Sequence, residues 1–458
     1  MQFPSPMDLR AIFLVGVGRR ERTKALLLAL WFFLTVATLW ILKPVRVASL
    51  LVHLGATETP YVRLAGVATI GVVVMLYSMA LSRLSRAAVV RWSTLLFAAL
   101  LVAFWGAIQL GGEWLGAQRP FVWAIYILVE IYSVVMIGIF WTYTNDVCTQ
   151  EDSDKLYGMI GLGGTLGGVA GGAFVDAFAK PIGPENLLLV CAGLVLVASL
   201  LGSITEGVLK PPPRKIERDE ASAADALAGA VEVKKSRYLM LLVAIVVAYE
   251  FTATLTDFGV NVVFERAYTD EGQLTKMYGR LGWVVSVTAV VAQIVLVPLL
   301  LPSKRVALLL APVAMLAGAV SALILPVVAT AFFLAAADRG LNYSLQQAVK
   351  ESLYVPLTDS QKYRAKAFID MFVDRAAKAL AAFALIGLIH FWGAAVRPSL
   401  VVSVASTAVW LAAALRLGAC FARNPKARSS EPPATKAAPP SSSVAHRGEP
   451  AIVTPGSG

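Results

Sequence analysis

The stretch that decides the fold spans residues 121–172 and reads FVWAIYILVEIYSVVMIGIFWTYTNDVCTQEDSDKLYGMIGLGGTLGGVAGG. Its first part, to about Tyr143, is apolar except for Glu130, whereas residues 145–155 are polar enough to lie in water. Residues 161–172 then carry seven glycines in twelve positions. Small residues four apart let helix backbones approach closely inside a membrane. The stretch therefore predicts two membrane helices joined by a polar turn, the second of them tightly packed.

Glu130 is the exception within the first of these helices. An ionised carboxylate in hydrocarbon is costly, so Glu130 needs a water-filled cavity, a cationic partner or a bound proton. A buried carboxylate beside a glycine-packed helix indicates a moving part around a polar site.

The composition agrees with a membrane protein. Of 458 residues, 58% are hydrophobic and 15% charged, and the mean hydropathy is +0.71. Soluble domains are about half apolar and about a quarter charged. Apolar runs of about 20 residues predict an all-α integral membrane protein rather than a barrel. The net charge of +11 comes from Lys and Arg in short loops, so we expect a lipid bilayer and an anionic solute as partners, and no nucleic acid.

Apolar runs predict twelve spans in two sets of six, as in the major-facilitator type of transporter. The predicted spans are 25–50, 61–81, 88–110, 121–145, 157–178, 187–209, 238–264, 277–301, 306–325, 328–356, 366–392 and 396–420. The basic loops and the basic N-terminus all fall on one side of this arrangement. Because basic loops stay in the cytoplasm, we expect both termini there.

The predicted organisation follows from one Pro-rich, charged linker in the middle of the chain. The predicted segments are a cytoplasmic N-terminus (1–24), a first half (25–209), a cytoplasmic linker (210–236), a second half (237–422) and a disordered cytoplasmic tail (423–458).

Short motifs repeat between spans that enter from opposite sides. Lys155-Leu156-Tyr157-Gly158 opens span 5 and Lys276-Met277-Tyr278-Gly279 opens span 8, with Gly161 and Gly282 at the same distance. Such similarity indicates inverted three-span units within each half.

Span 7 carries Glu250, Thr254, Asp257 and Asn261 on one helical face. A polar stripe on a membrane helix predicts the lining of an aqueous cavity, and a structural ion-pair ladder is the alternative. In span 1, Arg46 and Lys43 lie near the predicted outer end. They could therefore reach a solute or extend to the membrane interface, and Pro44 predicts a kink.

Spans 10 and 11 supply further charges. In span 10, Asn342, Lys350 and Arg339 offer donors to an anion, and the adjacent Asp338 and Arg339 suggest a self-neutralised pair. Span 11 begins with charges four apart, a spacing at which opposite charges stabilise a helix. We therefore interpret Lys366 and Asp374 as structural and Lys378, about three turns in, as a cavity residue.

The remaining motifs do not indicate an enzyme. Three cysteines and three histidines are scattered without metal-ligand spacing, so we expect no disulfide, metal or cofactor. The run from Gly163 to Gly172 lacks the Gly-Lys-Ser/Thr ending of a phosphate-binding loop. No nucleophile–base arrangement is present, and we expect no catalytic residues.

Four stretches resemble the nucleotide transporters typified by the ATP/ADP translocases of plastids and intracellular bacteria. The stretches are Ala248-Tyr249 to Asp257, Glu130 with Phe140-Trp141 and Asn145, Lys155-Leu156-Tyr157 with Gly161, and Arg339-Gly340 to Lys378. The resemblance implies a twelve-span relative of the major facilitators that exchanges nucleotides, an ATP:ADP antiporter in the inner membrane. It also implies that Glu130, Arg46, Asp257 and Lys350 occupy positions of charged residues in the family.

The chain departs from the family pattern at two cationic positions. Asn261 stands where the family has a Lys after the span-7 acid, and Asn342 stands where it often has a Lys. A less charged nucleotide, or another anion, is therefore an alternative substrate. A transporter of a peptide, sugar phosphate or drug is a second alternative, and a non-transporting membrane protein is a third.

We expect alternating access around a central site in a monomer. The candidate substrate-binding residues are Arg46, Lys350, Asn342, Asn261, Arg339 and Lys378, and the candidate coupling residues are Glu130, Asp257 and Glu250. In this hypothesis Arg46 and Lys350 hold the anionic part of the substrate.

Overall fold

The computed structural model describes residues 18–83, 85–209, 230–300, 303–354, 365–366, 368–393 and 396–423. Its first six long helices are α1 (Arg19–His53), α2 (Thr59–Arg83), α3 (Arg86–Gly116), α4 (Arg119–Val147), α5 (Gln150–Ile182) and α6 (Asn186–Leu209). The next are α7 (Arg237–Ala267), α8 (Glu271–Val291, continued by Ala292–Leu296 and Val297–Leu300) and α9 (Lys304–Ile324). The last are α10 (Val328–Leu341, Asn342–Gln346 and Gln347–Tyr354), α11 (Ile369–Val373 and Asp374–Trp392) and α12 (Val396–Arg423).

Eleven helices within the described residues are long and apolar enough to cross a membrane. The predicted tenth span, 328–356, is not among them, since Asp338, Arg339, Lys350 and Glu351 make α10 less apolar than the other spans. A π-helical turn at Asn342–Gln346 also divides α10 into pieces of 14 and 8 residues. The helix nevertheless continues from Val328 to Tyr354. The all-α prediction is thus confirmed, and the tenth span differs from the prediction by its π turn, a feature that is frequent at functional sites.

The two halves have separate apolar cores in the described part of the chain. One cluster of buried side chains is drawn from residues 25–198, and a second comes mainly from residues 233–417. The predicted domain boundaries remain predictions, since residues 210–229 of the linker and the tail beyond 423 lie outside the described residues.

The repeated motif occupies matching positions in two helices. Lys155 lies five residues after the start of α5, and Lys276 lies five residues after the start of α8. Both helices begin with an acidic or hydroxyl cap: Thr149 accepts a hydrogen bond from the Asp152 amide, and Asp270 accepts one from the Gln273 amide.

The glycines of α5 let this helix pack closely against α1 of the first half and α8 of the second half. A Cβ at Gly163, Gly167 or Gly171 would meet backbone atoms of α1 closer than 3.0 Å, and one at Gly172 would lie 2.5 Å from the Trp283 amide nitrogen of α8. The predicted role of these glycines in close helix packing is confirmed.

Four polar contacts also join the halves toward the end that the charge pattern places outside. Asp176 of α5 accepts hydrogen bonds from Arg280 and Trp283 of α8. His53 lies 3.3 Å from Glu271, and the Ala56 amide donates to Glu265 at 2.9 Å. The two halves are therefore held together at this end of the bundle.

Candidate functional site

A cavity of about 600 Å³ lies between the two halves, lined by side chains of α1, α2, α4, α7, α8, α10 and α11. Its six cationic lining residues are Lys43, Arg46, Arg63, Arg339, Arg375 and Lys378. Its five acidic ones are Glu130, Glu250, Asp257, Asp338 and Asp374. Charged side chains inside a membrane protein normally face such a cavity and pair with one another.

The span-7 stripe faces this cavity. Glu250, Thr254, Asp257 and Asn261 all line it, one above the other along α7. The prediction of a cavity-lining stripe is confirmed, and Asp257 and Glu250 also form ion pairs there. Asn261 is buried, and its amide oxygen accepts a hydrogen bond of 2.5 Å from the Tyr278 hydroxyl.

Arg46 of α1 forms an ion pair with Glu130 of α4. Their side-chain atoms are 2.7 Å apart, and the Arg46 side chain is only 10% exposed. The Tyr126 ring lies 4.4 Å from the guanidinium carbon, a cation–π distance. Arg46 therefore does not extend to the membrane interface, and Glu130 has the cationic partner that a carboxylate at this depth requires. Helix α1 continues through Pro44.

Asp257 binds two guanidinium groups at once. Its Oδ2 accepts a hydrogen bond of 2.7 Å from Arg63 of α2, and its Oδ1 accepts one of 2.8 Å from Arg339 of α10. The sequence prediction of an Asp338–Arg339 pair is wrong in this respect, because Arg339 reaches Asp257 on the neighbouring helix. Asp338 also lines the cavity, but it is only 5% exposed and its Oδ1 lacks a hydrogen-bond partner.

Lys378 of α11 lies between two carboxylates. Its Nζ is 2.8 Å from Asp374 and 3.6 Å from Glu250. The interpretation of Lys378 as a cavity residue is confirmed, whereas Asp374 lines the cavity as well as stabilising its own helix. Lys366 instead pairs with Glu351 at 2.6 Å, away from the cavity lining, in agreement with a structural role.

Eight of the nine candidate site residues line the cavity: Arg46, Asn342, Asn261, Arg339, Lys378, Glu130, Asp257 and Glu250. The ninth, Lys350, is not among the lining residues. Asn342 is the first residue of the π-helical turn of α10. Because hydrogen bonds in a π turn join residues five apart, the residues after it lie on a different helix face than they would in a regular α-helix.

Arg63 is a cavity-lining residue that sequence reasoning missed. It lies third in the predicted span 61–81, where a basic residue usually extends to the membrane interface. In the structure it lines the cavity and bonds to Asp257 across the boundary between the halves. Its position among the first residues of an apolar run was a signal, but the sequence alone gave no partner for it.

The chain matches a known protein family and several of its members. The profile described as TLC ATP/ADP transporter matches residues 106–335 and 306–421. The chain belongs to this family. It is 24% identical over 371 residues to ADP,ATP carrier protein 1 of Chlamydia pneumoniae, which covers 70% of this chain and 71% of that relative. It is 23% identical over 280 residues to the chloroplastic ADP,ATP carrier protein 1 of Arabidopsis thaliana, covering 54% of this chain and 45% of that relative.

Solved structures support the fold assignment. The nucleoside transporter NupG matches with a TM-score of 0.60 at 14% identity, covering 86% of this chain and 99% of NupG. A bacterial homologue of the iron transporter ferroportin, in its inward-facing state, matches with a TM-score of 0.59 at 14% identity, covering 87% of this chain and 99% of that one. The predictions of a major-facilitator-type fold and of membership in the nucleotide-exchange family are both confirmed.

Proposed function

We propose that this member of the TLC family exchanges nucleotides across a bacterial inner membrane by alternating access. The observation that carries the proposal is the cavity with six cationic side chains between two packed halves, in a chain related to ADP,ATP carrier proteins. Its volume of about 600 Å³ lies within the range of small-molecule sites. The guanidinium fork of Arg matches the oxygens of phosphate and carboxylate groups, and Lys binds phosphate as a point charge.

The cationic side chains are divided among five carboxylates, so an entering anion must share them with acidic neighbours. Arg46, Arg339 and Lys378 are each bound to a carboxylate and would hold the anionic part of the substrate. Asn261 and Asn342 would supply hydrogen bonds where the family has Lys. Lys350 lies outside the lining, so its contribution to substrate binding would be smaller.

The coupling role falls to the carboxylates that bind these cations. Glu130, Asp257 and Glu250 each sit on a different ion-pair group, and a substrate that takes a cation from one of them changes the charge balance of the others. Both termini would be cytoplasmic, and the protein would act as a monomer, because both halves of the cavity come from one chain.

Uptake into liposomes containing the full-length chain tests the proposal. Labelled ATP outside and unlabelled ADP inside should exchange, and labelled nucleosides or sugar phosphates should not. Arg46→Ala should abolish exchange in protein that still folds, although with a lower melting temperature, and Lys350→Ala should reduce exchange less, because Lys350 lies outside the cavity lining. Exchange of a sugar phosphate instead of ATP would overturn the substrate assignment.

A further inference from the structure

Asp257 carries an unusual share of the cavity's ion pairing. Each of its carboxylate oxygens accepts a hydrogen bond from a different guanidinium group, Arg63 at 2.7 Å and Arg339 at 2.8 Å. Arg63 belongs to the first half of the chain, and Asp257 and Arg339 belong to the second. One side chain thus connects two halves that must separate for alternating access.

The three side chains remain in contact with the cavity. The side chains of Arg63, Arg339 and Asp257 are 28%, 26% and 20% exposed, so the group borders the cavity space instead of being sealed in the protein. Arg63 uses one terminal nitrogen on Asp257, and a guanidinium group has five N–H donors. The pair of guanidinium groups can therefore accept a larger oxyanion.

The other ion-pair groups of the described cavity have a different balance. Arg46 and Glu130 are matched one to one, and Lys378 lies between two carboxylates. The Asp257 group alone, among these, has two cations for one carboxylate. Two guanidinium groups that share one small oxyanion form the arrangement that binds phosphate oxygens.

We infer that Arg63 and Arg339 form an anion site and that Asp257 is its resident counter-ion, which a phosphate group of the substrate displaces. This inference rests on the proposed function and names the residues that receive its anionic group. Asp257 and a phosphate repel each other at the same two guanidinium groups, so Asp257 must move away when phosphate binds. In this structure Asp257 joins the halves through Arg63, and a bound phosphate would take that place.

Anion binding to purified full-length protein tests this inference. Titration calorimetry at constant ionic strength, with pyrophosphate and with ATP as probes, should compare wild type with Asp257→Asn and Arg63→Gln. Asp257→Asn keeps the side-chain shape but removes the displaced charge, so Kd should fall about tenfold, equivalent to about 1.4 kcal/mol. Arg63→Gln should raise Kd tenfold or more. The matched control is Arg119→Gln, whose guanidinium is 56% exposed and pairs with Glu58 outside the cavity, and it should leave Kd unchanged.

Should Asp257→Asn fail to fold, Arg63→Lys keeps the positive charge beside Asp257 but loses the planar fork, and it should still weaken pyrophosphate binding about tenfold. A wild-type Kd in both Asp257→Asn and Arg63→Gln, or in Arg63→Lys, would overturn the inference. Tighter pyrophosphate binding by Asp257→Asn in a protein that does not transport nucleotides would support the anion site and refute the nucleotide assignment. Normal nucleotide exchange by Arg63→Gln would support the nucleotide assignment and refute the anion site.

Discussion

The two halves of the chain contribute opposite charge patterns to the cavity. The first half presents Lys43, Arg46 and Arg63 against the single carboxylate Glu130. The second half presents Arg339, Arg375 and Lys378 against four carboxylates: Glu250, Asp257, Asp338 and Asp374. We call the cavity residues of the first half the first wall and those of the second half the second wall. The first wall therefore has more cations than carboxylates and the second has more carboxylates than cations, although each contributes three cations.

This difference shows where an anion can bind and what it must displace. Arg339 and Lys378 of the second wall are each bound by a carboxylate of their own half, and Asp257 also binds Arg63 of the first half. The first wall is thus the attractive one, and the second wall is where charge has to move. Alternating access brings the two walls apart and together, so this asymmetry links substrate charge to conformation.

The largest expected effect on stability comes from replacing Glu130, the one carboxylate of the first wall. Glu130→Gln leaves the buried Arg46 without its partner, and breaking a buried ion pair costs on the order of 3 kcal/mol of stability. The apparent melting temperature of the purified protein should fall, and the double variant with Arg46→Gln should recover part of the loss. Glu58→Gln is the control, since it removes an ion pair to the exposed Arg119 and should cost about 0–1 kcal/mol. Equal losses in Glu130→Gln and Glu58→Gln would contradict the assignment.

The next effect concerns the contact that holds the two walls together. Gly172→Ala would place a Cβ 2.5 Å from the Trp283 amide nitrogen and 3.0 Å from the Gly279 carbonyl oxygen of α8. Forcing the helices apart should cost about 1–3 kcal/mol, visible as a lower melting temperature and slower exchange. Gly161→Ala on the same helix meets nothing within 4 Å and should behave as wild type. If the two variants melt alike, the close packing of α5 on α8 is not needed.

A smaller effect comes from removing the carboxylate surplus of the second wall. The double variant Glu250→Gln with Asp374→Asn releases Lys378 from both of its partners. An extra cation in the cavity should lower the Kd for ADP by roughly tenfold, about 1.4 kcal/mol, in calorimetry at constant ionic strength. Adding Lys378→Met to the double variant should cancel the gain. Unchanged affinity in the double variant would show that Lys378 does not reach the substrate.

The smallest effect lies outside the cavity, where Lys24 of α1 bonds to Asp152 at the start of α5 at 2.8 Å. Burial by itself would raise the pKa of Asp152, but hydrogen bonds from Lys24 and from the Thr149 amide outweigh it and lower that pKa. A lowered pKa means that Asp152 stabilises the folded protein above the ordinary Asp pKa of about 3.9 and loses this contribution as pH falls further.

Asp152→Asn should therefore reduce the free energy of unfolding at neutral pH by about 1 kcal/mol or less, seen as a slightly lower melting temperature. In acid the variant should match wild type. Melting curves between neutral and acidic pH measure the difference. A gap between the two proteins that widens as pH falls would reverse the expected sign. For comparison, Glu351→Gln removes an ion pair of the second half, the one between Glu351 and Lys366.

Sequence reasoning succeeded where a residue's neighbours are close in the chain. The span-7 stripe, the glycine packing of α5 and the depth of Lys378 follow from helical periodicity, which depends on residues within a few turns. It failed where the partner came from another helix: Arg63 has its partner 194 positions away, and Arg339 bonds to Asp257 instead of to its neighbour Asp338. Periodicity places a residue on a helix face but cannot choose among the helices that the face meets.

By itself the sequence determined the membrane character of this chain, its long apolar helices and the polar faces that must meet water, because hydrocarbon excludes charge wherever a residue lies along the chain. Only the tertiary structure decided which charges form pairs. Ion pairs act over a few ångströms, and the distances between helices are set by packing. The glycines of α5 let it pack closely on α1 of the first half and α8 of the second, and between the two halves Arg63 of α2 reaches Asp257 of α7.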